Sequence, residues 1–320
     1  MRLIAQASNI KIHSPDDAYF SFYNSPYTGH SLGTAVDIYP KHQEWKGPVP
    51  SPVAGVVEEV RKMKMGQPKN FPTEDFDYAI GIRPENKCND IVRIMHTEPS
   101  VKKGERIELG DDIGKALRSR YFNYWTGPHY HVEVLPHQFF SRASKSHPLD
   151  LPFYFEERAI SKNNMETEFL ITAVTEDNVI GHPLDLDYSN INDLSGLSAV
   201  TDYGRTVGIL DGGLSHYRHG GIIGGQDCVE GMSVGLFRNL VGQIQIKKPG
   251  SAYFIRGPRI ISNIDGFELL GLSCFIYPKQ YLRKGIPQII LIPKIYGELK
   301  KSFEGGDVAL LQINQRTLQL

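Results

Sequence analysis

The chain has 320 residues, which suits two domains or one large one at about 100–200 residues per domain. Apolar residues make up 40% and charged residues 22%, so the chain can bury a core and is not compositionally disordered. With 35 Lys and Arg against 36 Asp and Glu, the net charge of −1 argues against a general nucleic-acid binder, which needs clustered positive charge to replace phosphate counterions.

The 31 glycines and 20 prolines, with plentiful Val, Ile, Tyr and Phe, favour many short strands joined by turns. Residues 1–9 lack the long apolar core of a secretory signal, so an intracellular location is expected unless a leader has been removed. Short alternating or apolar runs follow at residues 34–39, 55–61, 78–82, 90–95 and 129–135, each bounded by Gly, Pro or Asn as strands are. A weak helix pattern covers residues 136–145.

A boundary is expected at residues 152–164, where Pro148 and Pro152 give way to Glu156-Glu157-Arg158 and Lys162-Asn163-Asn164. This predicts a β domain over 1–155 and a second β-rich domain over 160–320. Strand-like runs in the second part lie at residues 168–175, 205–210, 233–236, 243–246, 252–255, 288–292 and 308–312, with Gly doublets as turns. The best apolar stretch, 286–295, is short and broken by Pro287 and Pro293, so no membrane span is expected. Cys88, Cys228 and Cys274 are too few and scattered for a disulfide framework or zinc ribbon and read as reduced, buried thiols.

Of the 11 histidines, those in Gly127-Pro128-His129-Tyr130-His131-Val132-Glu133-Val134 carry the strongest chemical signal. Strand alternation puts His129, His131 and Glu133 on one face, and Tyr130, Val132 and Val134 on the other. Two imidazoles spaced i and i+2 can converge on one site. Earlier, His30 and Asp37 flank an apolar strand start, Ala35-Val36-Asp37-Ile38. A carboxylate between Val36 and Ile38 needs a partner, and a metal ion is one such partner, whereas a strand-end cap on a turn is the bland alternative. His30, Asp37 and His131 supply two imidazoles and a carboxylate, a normal set for a catalytic zinc with an open fourth position. A third piece is the strand Ile91-Val92-Arg93-Ile94-Met95 ending in His96, followed by Gly-punctuated hairpins over 101–114. His216-Tyr217-Arg218-His219 reads either as a second ligand pair or, more simply, as a polar turn beside a strand.

Together with the hairpin Pro52-Val53-Ala54-Gly55-Val56-Val57, these pieces occur over residues 28–136 in an order that resembles the lysostaphin-type (LytM-like) zinc endopeptidase family. The resemblance implies a mainly β chain with a duplicated hybrid-motif (barrel-sandwich hybrid) antiparallel domain, followed here by a second β-rich domain that matches nothing in the family. It implies Zn2+ held by His30, Asp37 and His131, with His129 and His96 polarising water and steadying the oxyanion. One departure stands out. Gly33 occupies the family's ligand-His position and Ala35 replaces its Gly, while His30 lies seven residues before Asp37. For His30 to serve, the chain must turn back at Gly33, whose freedom at positive φ makes that turn cheap.

The expected function is therefore a zinc-dependent hydrolase of peptide or amide bonds, with a peptide or peptidoglycan-like substrate. The alternative is a catalytically inactive binding or scaffolding protein that keeps the metallopeptidase fold. A carrier-type domain is disfavoured because no Lys sits at a clear hairpin tip between small residues. The substrate, the role of the second domain and the oligomeric state are not readable from the residues.

Overall fold

The computed structural model describes residues 1–40, 44–85, 89–156, 166–201, 203–236, 239–257, 260–282 and 286–315. Cys88 and the polar run 157–165 at the expected junction lie outside the described residues. The chain forms two compact units, one of residues 1–20 and 27–152, the other of residues 21–26 and 153–320. Both are mainly β. Among the described residues, no helix is long and apolar enough to cross a membrane.

The first unit contains β1 (Arg2–Ala7), β2 (Ile10–Ser14), β3 (Tyr19–Ser21, its last residue in the second unit), a single helical turn α1 (Thr28–Ser31) and β4 (Ala35–Tyr39). It continues through β5 (Pro48–Pro50), β6 (Gly55–Lys64), β7 (Phe76–Arg83), β8 (Asp90–Met95), β9 (Thr97–Pro99), β10 (Arg106–Ile107), β11 (Asp112–Ala116) and β12 (Tyr130–Pro136). Its main sheet has the order β10-β6-β7-β8-β12-β4-β3, beside a three-stranded sheet β5-β11-β9 and the hairpin β1-β2. The central strands are β-branched and buried: Ile91, Val92 and Ile94 in β8, Val132 and Val134 in β12, Val36 and Ile38 in β4. Such residues fit a pleated surface covered on both faces. The weak helix pattern of 136–145 forms two isolated 3-10 turns, His137–Phe139 and Ala143–Lys145. Ten residues without an i, i+3, i+4 apolar stripe do not offset the cost of nucleating an α-helix.

The second unit contains β13 (Glu166–Val174), β14 (Val179–Pro183), β15 (Tyr188–Ile191), β16 (Leu194–Val200), β17 (Thr206–Leu214), β18 (His219–Ile223) and β19 (Ser233–Leu236). Then come β20 (Asn239–Lys248), β21 (Ser251–Arg256), β22 (Ile260–Ile264), β23 (Phe267–Cys274), β24 (Tyr277–Pro278), β25 (Ile289–Pro293) and β26 (Val308–Gln315). Pairing runs β13-β26-β22-β23-β25-β14 and returns to β13, which closes a barrel. A second ring runs β16-β17-β18-β21-β20-β19 and closes where Val200 faces Gly235. Strand β17 links the two, pairing with β18 up to Gly212 and with β23 from Gly212 onward. Closure leaves few free edges, which limits strand-to-strand aggregation. Cys228 and Cys274 are buried free thiols, and burial pushes the Cys228 thiol up to about 11.

The short segment 21–26 is held in this second unit by Asp211 on β17. The fully buried Asp211 carboxylate accepts from the Ser21 hydroxyl, the Phe22 amide at 2.7 Å and the Tyr23 amide at 3.2 Å. Replacing Asp211 by Ala leaves those donors buried without an acceptor. We expect Asp211→Ala to cost about 2–4 kcal/mol, while Asp211→Asn, which keeps one oxygen for the two amides, costs about half as much. Denaturant midpoints of the two variants check this, and equal losses would contradict it.

Candidate metal centre

The centre is built from α1, β4, β8 and β12. In α1 the Tyr27 carbonyl accepts from the His30 amide at 3.0 Å and the Ser31 amide at 3.1 Å. Gly33 then takes φ +62° and the Thr34 amide returns to the Gly29 carbonyl at 2.7 Å, which turns the chain straight into β4. A side chain at Gly33 would be strained in this left-handed conformation. The turn brings His30 Nε2 to 3.2 Å from Asp37 Oδ1.

Strand pairing supplies the third group. His131 lies directly opposite Asp37 in the β12–β4 ladder, and its Nδ1 is 2.8 Å from Asp37 Oδ1. His30 Nε2 is also 3.2 Å from His131 Nδ1. His30, Asp37 and His131 therefore aim three donor atoms at one small volume, all within 4.8 Å of one another. Ligands at 2.0–2.1 Å around a tetrahedral ion lie about 3.3 Å apart, so three atoms separated by 2.8–3.2 Å fit such an ion with little adjustment.

Behind His131 stands a second carboxylate. Glu133 Oε1 is 3.3 Å from His131 Nε2, while Oε2 accepts from the Arg93 guanidinium and from Ser146 Oγ at 3.2 Å. Arg93 also donates to the Phe140 carbonyl at 2.5 Å. Gly29 makes room for this carboxylate, since a Cβ there would fall 2.4 Å from Glu133 Oε1. Burial opposes every charge in this group, yet the pairing outweighs it. Burial pulls the His131 imidazolium down, but Asp37 and Glu133 lift it to about 9. Burial pushes Glu133 up, but His131 and Arg93 hold it at about 2. The neighbouring His30, His129 and His131 likewise keep Asp37 well below the usual carboxylate range despite its burial.

Two more histidines face the same volume. His129 Nδ1 donates to the Gly127 carbonyl at 2.9 Å, and its Nε2 lies 3.6 Å from Asp37 Oδ2. Burial lowers its pKa to about 4, so the ring stays neutral. His96 ends β8 in a left-handed conformation, φ +65°, which costs a non-glycine residue about 1–3 kcal/mol. The buried Asp77 on β7 holds it there. Asp77 Oδ1 accepts from the His96 amide at 3.1 Å, and Oδ2 accepts from His96 Nδ1 at 2.6 Å and from Ser119 Oγ at 2.8 Å. The His96 ring centroid is 5.5 Å from that of His129 and 6.0 Å from that of His131. Phe122 packs against both His96 and His129, and Tyr39 against His129.

The structure thus gathers all five residues singled out in the sequence: His30, Asp37, His96, His129 and His131. It adds Asp77, Ser119, Arg93 and Ser146, which sequence reasoning missed, and gives Glu133 a partner. Asp77 sits in Asp75-Phe76-Asp77-Tyr78, which carries no motif; only the β7–β8 pairing, Ala79 opposite Met95, brings it to His96. In the second unit, His216 lies on a turn with Nε2 3.5 Å from Ser273 Oγ, and His219 opens β18 with its ring on Tyr253. Among the described residues, the group of His, Cys and acidic ligands close enough to share a metal is His30, Asp37 and His131.

Residues 11–151, which contain the whole centre, match a family model described as the N-terminal domain of a domain of unknown function (DUF8155). No curated protein matches the chain. Among solved structures, the chain is similar to an NMR solution structure of lysostaphin, with 13% identity, a TM-score of 0.25, and coverage of 91% of this chain and 95% of that one.

The charge pattern predicts how stability depends on pH when a chelator keeps metal ions out of solution. His131 has a folded pKa of about 9, above its unfolded value of 6.5, so its contribution is complete below pH 6.5 and is lost as pH rises to 9. His129 has a folded pKa of about 4, below 6.5, so its protonation in the unfolded chain costs stability as pH falls from 6.5 to 4. Thermal stability should therefore peak near pH 6.5. Ring titrations by NMR should find His131 charged and His129 neutral at pH 7, and the reverse order would refute the scheme.

Proposed function

We propose that the protein is a zinc-dependent hydrolase of peptide or amide bonds, with His30, Asp37 and His131 as metal ligands. The observation that carries this reading is the convergence of two imidazole nitrogens and one carboxylate oxygen within 2.8–3.2 Å of each other. Three protein ligands of this kind leave a fourth position for water, the arrangement of catalytic rather than structural zinc. When bound, zinc lowers the pKa of that water and polarises a carbonyl.

The chain's own groups divide the remaining work. Glu133, fixed by Arg93 and Ser146, orients the His131 ring through Nε2 and leaves Nδ1 for the metal. His129, with Nδ1 occupied by Gly127, presents Nε2 as a proton acceptor. His96, with Nδ1 on Asp77, has Nε2 as its second nitrogen, and its ring lies beside those of His129 and His131. Such a ring can take a proton from an attacking water, and once protonated it can donate to the oxygen of the tetrahedral intermediate. The motif order supports a peptide, or a peptidoglycan-like peptide, as substrate.

A second reading is favoured by burial. The five residues are only 1–8% exposed, and an enzyme must admit a substrate to them. A metal-stabilised binding or scaffolding protein has no such need. Metal content and peptide cleavage separate the two readings. Under the first, the wild-type chain holds one zinc and cleaves peptides. His131→Ala and His30→Ala abolish bound zinc, whereas His129→Ala keeps most of the metal and loses activity by about 10²-fold or more. Equal metal loss in His129→Ala and His131→Ala would contradict the assignment. One zinc per chain without cleavage of any peptide would favour the scaffold.

A further inference from the structure

Resting on the hydrolase reading, we propose that Asp77 is a positioning residue that makes His96 the ring that accepts and returns the proton during hydrolysis. Asp77 is fully buried, and its two oxygens accept four bonds. Oδ1 takes the Tyr78 amide at 2.7 Å and the His96 amide at 3.1 Å. Oδ2 takes His96 Nδ1 at 2.6 Å and Ser119 Oγ at 2.8 Å. An ionised carboxylate only accepts, so His96 Nδ1 must carry a hydrogen. The neutral ring then has its lone pair on Nε2.

The backbone tightens the constraint. His96 departs from the β8 ladder in a left-handed conformation, and its carbonyl accepts from the Leu117 amide at 2.9 Å. One carboxylate thus binds both the main chain and the ring of the same residue, which removes ring rotation as a free variable. His129 has no comparable support. Its Nδ1 meets a neutral carbonyl, which orients the ring but does little to stabilise a positive charge. A carboxylate behind an imidazole fixes its tautomer and stabilises the imidazolium that forms. The proton of the attacking water therefore passes to His96 Nε2 as the carbon–oxygen bond forms. Nε2–H then gives it to the departing amine nitrogen as the carbon–nitrogen bond breaks.

The same bonds dictate a sharp outcome for Asp77→Asn. The amide oxygen must stay at the Oδ1 position, because two backbone amides point there. The NH2 group then occupies the Oδ2 position and donates toward His96 Nδ1. That nitrogen must become the acceptor, so the proton moves to Nε2 and the ring is inverted.

Nitrogen-15 ring shifts of the zinc-loaded protein read the tautomer directly. We expect Nδ1–H in the wild type and Nε2–H in Asp77→Asn, with zinc content unchanged. With a cleaved peptide, kcat should fall about 10²–10⁴-fold with KM nearly constant. Loss of packing alone would not invert the tautomer. A wild-type ring protonated on Nε2 overturns the proposal without any variant, which covers the case in which Asp77→Asn fails to fold. An unchanged tautomer or an unchanged kcat in a folded Asp77→Asn also overturns it. A wild-type protein that binds zinc, shows the Nδ1–H ring and cleaves no peptide overturns the hydrolase reading, and with it the catalytic part of this one. The inversion in Asp77→Asn would still stand as the readout of positioning.

Discussion

The centre depends on the register of one strand. Strand β12 runs antiparallel between β4 and β8, with His131 opposite Asp37 on one side and opposite Met95 on the other. Side chains directly opposite in such a ladder share a face, with Cβ atoms about 4.5–5.5 Å apart. The pairing alone therefore places an imidazole beside a carboxylate. The period of two then puts Glu133 and His129 on the same face, two residues from His131 in each direction. A slip of one residue would turn His131 to the other face and replace it by Tyr130 or Val132. Large apolar groups on the opposite face, Tyr130, Val132 and Val134, are fully buried and oppose that slip.

The register also explains why so many charges can be buried together. Arg93 faces Glu133 in the β8–β12 ladder, as Asp37 faces His131 in the β12–β4 ladder. Each acid meets its base across a strand pair that the backbone already fixes, so little side-chain entropy is lost in holding them. An uncompensated charge at these positions would cost several kcal/mol. Alternating acid and base along neighbouring strands forms one connected network, Arg93–Glu133–His131–Asp37–His30. Asp77 and His96 form a separate pair from the adjoining strands.

The same-face pattern of His129, His131 and Glu133 was legible because a strand has a fixed period and the three residues lie within five positions. The turn at Gly33 was legible because a glycine is the cheap solution to reversing the chain before Asp37. The mainly β class followed from short runs punctuated by Gly and Pro. What stayed hidden depends on which strands become neighbours. Asp77 is one acid among 36 acidic residues, and nothing local marks it as the partner of His96. The two closed rings of the second unit are invisible for the same reason, since closure is set by pairs such as Glu166 with Gln312 that lie far apart in the chain. The place of segment 21–26 in the second unit depends on Asp211, remote in sequence.

A proton and a metal ion compete for the same three atoms. Without a cation, Asp37 Oδ1 and His131 Nδ1 at 2.8 Å are satisfied by a hydrogen between them, which is why His131 holds its charge to about pH 9. A ligating imidazole must be neutral at the coordinating nitrogen, so a cation entering here releases that proton. Glu133 does not share the contested nitrogen. It lies 3.3 Å from the other nitrogen, Nε2, and Arg93 with Ser146 anchors it from behind. The ring therefore keeps its orientation while its partner changes. This separates two demands that conflict in most buried sites: a stable fold without the metal, and a donor set already aimed for it. Under the proposed metal assignment, affinity for the ion would fall as the solution becomes more acidic, because the proton shared by Asp37 and His131 is the one that a cation would displace.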